Sequence, residues 1–156
     1  MSLAMPSSPL GRLIVCERRG HWAAALRREL SESGLRVWET RLLADCWQSL
    51  TVAPASFLVV ELSLGNAEAL LGRMMRLPTE YPLARVAVVA ERRLTAYEWL
   101  VREAGAVHFV SSPRELGPLA QIGFRHMAAV PPPHKTFVER VWDGLPWRQH
   151  KATADR

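Results

Sequence analysis

Five short apolar runs, each followed by a stretch of helical periodicity, constrain this chain more than any other feature. The runs are GRLIVC (11–16), LRVWET (35–40), FLVVEL (57–62), RVAVVA (85–90) and Val107–Ser111. Each is too short for a helix and rich in β-branched or aromatic residues, so each predicts a strand. FLVVEL and RVAVVA are almost continuously apolar, the composition of strands covered on both faces. LRVWET alternates, as a strand near a sheet edge does. Helical spacing fills Trp22–Leu30, Leu42–Leu50, Asn66–Leu77, Thr95–Ala104 and Gly117–Ala129. Asn66 and Thr95 are predicted helix caps. Ser33-Gly34 and Gly105 are predicted helix ends, and Ala53-Pro54, Pro78 and Pro82 predicted breaks. Strict alternation predicts a three-layer α/β domain with a parallel sheet between helices.

The chain has 156 residues, enough for one domain with a real core. Nearly half of it is apolar (49%) and 22% is charged, the balance of a globular protein rather than a disordered one. The two cysteines, Cys16 and Cys46, have no metal-site spacing and are too few for a disulfide framework, which fits a reducing compartment. No apolar run approaches the roughly 20 residues that cross a membrane. Residues 1–10 lack a signal peptide's basic start and apolar core and are expected to be a flexible leader. A cytoplasmic location with no membrane partner follows. The net charge is +5, but its arginines are scattered through helices with no basic block, so nucleic acid is not an expected partner. There is no phosphate-cradling glycine loop, nucleophile elbow or metal motif, so neither an enzyme nor a cofactor is expected. His21 and His108 lack partners at ligand spacing and predict structural or surface roles. Cys16 ends a buried strand and reads as inert unless a neighbour lowers its pKa. Trp22, Trp38, Trp47 and Trp99 sit where core or groove packing is expected.

Four segments, taken in order, resemble the receiver domain of bacterial response regulators. LIVCERRG looks like its first strand and acidic pair. FLVVELSLGN looks like the third strand with the phospho-acceptor and its turn. LLGRMMRLPTEYPLARVAVVAE looks like the third helix, the proline-punctuated loop and the fourth strand. EAGAVHFVSSPREL looks like the AGA turn, the fifth strand and the Lys-Pro motif. The resemblance covers about residues 11 to 129. It implies a flavodoxin-like fold with strand order 2-1-3-4-5, over a domain spanning 11–130. It also implies a degenerate pocket. The acidic pair falls on Cys16 and Glu17, and the acceptor aspartate on Glu61. The hydroxyl residue that closes on the phosphoryl group falls on Ala90, the switch aromatic on Phe109. The lysine before a cis-type proline falls on Ser112, with Pro113 kept. Phosphotransfer to a carboxylate needs a well-placed nucleophile, acids that hold Mg²⁺ and a cation for the developing charge. Glu61 is one methylene too long, Ala90 has no hydroxyl and Ser112 no charge. The expectation is therefore a pseudo-receiver that acts in bacterial signalling without aspartyl phosphorylation. Glu61 as an imitation of a phosphoaspartate, and Glu17 with Glu61 as a weak metal pair, stay open beside Glu61 as a relic neutralised by arginines.

In a doubly wound sheet, ligands bind at the carboxyl ends of the strands. The loops there carry Arg18, Arg19, Arg92, Arg93 and Arg114, with Glu17, Glu61 and Glu91 among them. They predict either an anion or acidic-partner site, the basis of an alternative ligand-binding sensory function, or a salt-bridged rim worth little. Pro131-Pro132-Pro133 then opens a tail, residues 131–156. Its Phe137, Val141, Trp142, Leu145 and Trp147 predict a short amphipathic docking segment over Thr136–Asp143. Eight residues do not hold a helix alone, so it must pack on its own domain, on a second copy in a homodimer, or on a signalling partner.

Overall fold

The structure, a computed structural model, describes residues 10–131 and 137–145. Strands β1 (Leu13–Cys16), β2 (Val37–Thr40), β3 (Phe57–Leu62), β4 (Arg85–Ala90) and β5 (Phe109–Val110) alternate with helices α1 (His21–Glu29), α2 (Leu43–Val52), α3 (Ala67–Glu80), α4 (Glu98–Glu103) and α5 (Gly117–Ala129). The sheet runs β2-β1-β3-β4-β5 with every pair parallel, the expected order. A further helix, α6 (Phe137–Asp143), lies in the tail.

Strand parity builds the two cores. Ile14, Cys16, Leu58, Val60, Val86 and Val88 face α2, α3 and α4 and pack on Cys46, Leu50, Leu70, Met74 and Val101. Leu13, Val15, Phe57, Val59, Ala87 and Val89 face α1 and α5 and pack on Trp22, Leu26, Leu119 and Ala120. β3 and β4 lie inside the sheet under helices on both sides, which is why their sequences do not alternate. By the same two-residue period, Glu61 belongs to the α1 side, beside Trp22. β2 is an edge strand, and Trp38 on it is half-buried between the Arg12 and Arg36 guanidiniums, 4.2 and 3.8 Å from its ring centre.

Several local expectations are corrected. α3 does not stop before Pro78 but runs through it to Glu80. Proline forfeits one backbone bond in the last turn, while buried Leu77 and the Tyr81 N–H bonded to Leu77 O keep that turn in place. Asn66 does not cap α3 with its side chain, because that side chain is committed to the β3 loop. Thr95 is not a cap either. Residues Arg92–Tyr97 form a 3₁₀ helix, and the Thr95 hydroxyl donates back to Arg92 O at 2.6 Å, so α4 starts later, at Glu98. Trp99 is 66% exposed rather than packed. His108 precedes β5 rather than lying in it.

In the tail, α6 begins at Phe137, within the expected segment. Phe137, Val138, Val141 and Trp142 are exposed, and Leu145 is half-buried. Trp147, most of the leader, and Pro132 and Pro133 lie outside the described residues. No helix among the described residues is long and apolar enough to cross a membrane.

Candidate functional site

Parallel pairing brings the carboxyl ends of all five strands to one edge of the sheet. β1 delivers Cys16 and then Glu17, β3 delivers Glu61, β4 ends at Ala90, and Ser112 follows β5. The positions singled out by the resemblance therefore share one rim, yet their side chains do different things.

Glu17 is buried, 2% exposed. Its two carboxylate oxygens accept from the backbone N–H groups of Ala23 and Trp22, each at 2.9 Å. These are orphan donors in the first turn of α1. The residue before the helix, Gly20, has no side chain to cap them, so Glu17 does it from three residues upstream. The loop must then turn sharply, and Gly20 holds φ 90°, a left-handed conformation suited to glycine. Arg41 Nη1 donates to Glu17 O at 3.2 Å and steadies the loop from β2's side.

Glu61 is half-buried and accepts from the Trp22 indole Nε1 at 2.9 Å. The loop behind it is pinned by Asn66, whose Nδ2 donates to Glu61 O and whose Oδ1 accepts from Ser63 N, both at 2.8 Å. Glu61 points into the rim beside α1, close to the tip of β1.

Ala90 is fully buried on the α3–α4 side and offers only a methyl group. Phe109 is buried in the same layer. Ser112 is 9% exposed, and its hydroxyl accepts from Arg114 N at 3.3 Å in its own turn. No cis peptide bond occurs among the described residues, so Pro113 follows a trans bond and opens the 3₁₀ turn Pro113–Glu115.

His21 corrects the expectation that it lacks a partner. It sits four residues after Glu17, with Nδ1 4.0 Å from Glu17 Oε2. One ligand atom each from Glu17, His21 and Glu61 lie within 4.8 Å of one another. The donor set could accept a divalent ion, but both oxygens of Glu17 already serve α1 and one of Glu61 serves Trp22. The arrangement stands complete as a helix cap with a histidine beside it.

The five arginines divide. Arg18, Arg19 and Arg93 line a cleft of about 390 Å³ with His21, Glu61 and Glu91, whereas Arg92 and Arg114 are not in its wall. Arg93 is paired with Glu91 at 2.7 Å. Arg18 and Arg19 are exposed and have no ion pair among the described residues. The rim is thus part salt-bridged and part open.

Cys16 and Cys46 are both buried in the layer between the sheet and α2. Hydrogen-bonding contact with the Cys46 thiol lowers Cys16 to about 7 against the opposing effect of burial, and the same contact raises Cys46. Sequence reasoning missed this pair, His126, and the Trp22 indole. His126 Nε2 lies 2.8 Å from Ala55 O, and burial lowers its pKa. Only the Glu17–His21 spacing carried a sequence signal, since the other contacts join residues far apart in the chain.

No protein-family model matches the chain, and no curated protein does. Solved structures do. A response regulator from Thermotoga maritima aligns with a TM-score of 0.59 at 20% identity, covering 76% of this chain and 98% of that one. An orphan response regulator of H. pylori aligns with a TM-score of 0.60 at 16% identity, covering 77% and 98%. A CheY-like protein, TadZ, from Pseudomonas aeruginosa aligns with a TM-score of 0.59 at 18% identity, covering 78% and 96%. The chain has the receiver fold.

Proposed function

We propose that this chain is a signalling module of receiver fold that works by protein–protein contact, takes no phosphoryl group on an acidic side chain and is not an enzyme. The observation that carries the reading is the commitment of Glu17. Its oxygens are buried on the α1 amides, so holding Mg²⁺ there competes with the cap of a core helix. Three further features agree. Glu61 is held by an indole N–H, Ala90 cannot bond a phosphoryl oxygen, and Ser112 brings no cation. A missing charge-assisted bond costs about 1.5–3 kcal/mol. The degenerate positions then serve structure, and the Trp22 bond makes Glu61 a relic rather than a stand-in for a phosphorylated aspartate. For contact, Trp99, Val107 and Phe124 expose apolar surface on α4, the approach to β5 and α5, and Phe137, Val141 and Trp142 add more on α6. Aromatic side chains are common anchors of interfaces. The partner is a cytoplasmic signalling protein or a second copy of the chain.

Trp22 reports on the site directly. Its fluorescence, taken as the difference between the native protein and Trp22→Phe, stays unchanged when Mg²⁺ with beryllofluoride is added. A saturable change would sink the reading.

One observation favours a second reading. Arg18 and Arg19 face an open cleft without ion pairs among the described residues, as an anion-binding sensory site would require. That reading expects inorganic phosphate to bind by calorimetry and the Arg18→Ala/Arg19→Ala variant to lose it; full affinity in the variant rejects it.

A further inference from the structure

Two apolar surfaces of this chain lie uncovered, and each has the shape the other needs. The first is a groove of about 410 Å³ between the end of α1 and α5. Buried Leu30 and Ala120 line its floor, and Phe124, 39% exposed, is in its wall. Gly117, three residues before Ala120 on α5, adds no side chain to that wall. Glu29 and Glu32 also line the groove, exposed and without an ion pair among the described residues. The second surface is one face of α6. Phe137 with Val141, and Val138 with Trp142, are two adjoining rows at a spacing of four residues, so they share one side of the helix. All four are exposed, by 47–74%. Glu139 and Arg140 fall on the other side.

We propose that α6 of one copy docks in the α1–α5 groove of a second copy, and that the exchange is mutual: the chain is a two-fold dimer held by its C-terminal arms. Within one copy α6 leaves its apolar face in solvent and the groove stands open, so neither surface serves the other there. The arm departs from the groove's own wall, since α5 ends at Ala129 and α6 begins at Phe137. At roughly 3.3 Å per residue the connection from Pro131 spans up to about 20 Å. An arm that steps off one α5 therefore reaches a second α5 set against it by two-fold symmetry. Charge agrees with this occupant. The sequence around α6 is basic, with Lys135 before it and Arg148 and Lys151 after it. Those cations suit the unpaired Glu29 and Glu32 at the groove.

Exchange also answers the shortness of the arm. A helix of seven residues does not hold alone and makes a small contact, and mutual docking makes that contact twice in each dimer. The small floor residues let the helix approach closely, and Phe124 offers an aromatic edge to Phe137 or Trp142. None of the residues that line the rim cleft lines this groove, so the pairing leaves both rims of the dimer open. The inference supplies the surface and the partner for the protein-contact reading and rests on it.

Sedimentation equilibrium of the full chain over a range of concentrations tests the exchange. The native chain is expected to be a dimer. Phe124→Glu blocks the groove and Trp142→Glu blocks the arm, and each is expected to weaken the dimer by about tenfold or more. Both positions face solvent in a single copy, so the far-ultraviolet circular dichroism should not change. A mixture of the two variants is expected to associate more strongly than either alone, because one keeps the arm and the other keeps the groove. A native chain still monomeric at about 1 mM overturns the proposal. So does a dimer that survives either substitution, or a mixture no stronger than its components. Those outcomes leave the account of the rim standing, since Trp22 fluorescence with beryllofluoride tests that separately. The native measurement holds even if a variant misfolds.

Discussion

At the scale of single residues, Glu17 and Trp22 do most to join rim and core. Glu17→Ala leaves the Trp22 and Ala23 N–H groups without their acceptor at the buried start of α1. A lost cap costs about 0.5–2 kcal/mol, and the upper end is expected here because two donors are orphaned together. Urea unfolding checks this, with a lower midpoint at unchanged slope. Trp22→Phe keeps the packing ring but strips Glu61 of its donor, at a cost of about 1 kcal/mol. The histidines set a pH dependence. Burial lowers His126, and burial lowers His108 too, from the ordinary 6.5. The unfolded chain therefore binds more protons just below 6.5, and their contribution to stability, whole above that value, is lost as pH falls toward the folded pKa values. The thermal midpoint should decline on acidification through this window, less steeply in His126→Gln. An identical decline in the variant would remove His126 from the explanation. Little of this was legible in the sequence. A buried carboxylate and a distant indole are set by tertiary placement, whereas the residue types at Ala90 and Ser112 could be judged on sight.

At the scale of elements, apolar runs marked the strands closely, because a strand buried on both faces admits hardly any polar residue. β3, β4 and α5 have the expected ends. Prediction failed where a side chain could bond in two ways. Asn66 and Thr95 are cap residues by type, but one ties the β3 loop and the other closes a 3₁₀ turn. Pro78 looked like a stop, but a proline in the last turn of a helix packed through Leu77 removes only one bond. Apolarity of Trp99 predicted packing, yet α4 turns it outward. The tail helix is testable at this scale. Phe137, Val138, Val141 and Trp142 are 47–74% exposed, so α6 adds little core. Ending the chain after residue 131 should leave the thermal midpoint within a few degrees, since 1 kcal/mol corresponds to roughly 2–8 °C in domains of this size range. A larger drop would show that the tail is packed on the domain in solution.

At the scale of the whole molecule, the fold is the part that the chain shares with solved structures. The sheet order, the two helical layers and the convergence of strand ends on one rim follow from alternation of short strands and helices, and solved receivers share them at low identity. The rim itself uses its carboxylates for structure: one caps α1, the other accepts from Trp22. Incubating the chain with acetyl phosphate and Mg²⁺ and weighing it intact tests this most directly. The mass is predicted to stay that of the unmodified chain at every time point. A phosphoryl adduct approaching one per chain, mapped to Glu61, would contradict it.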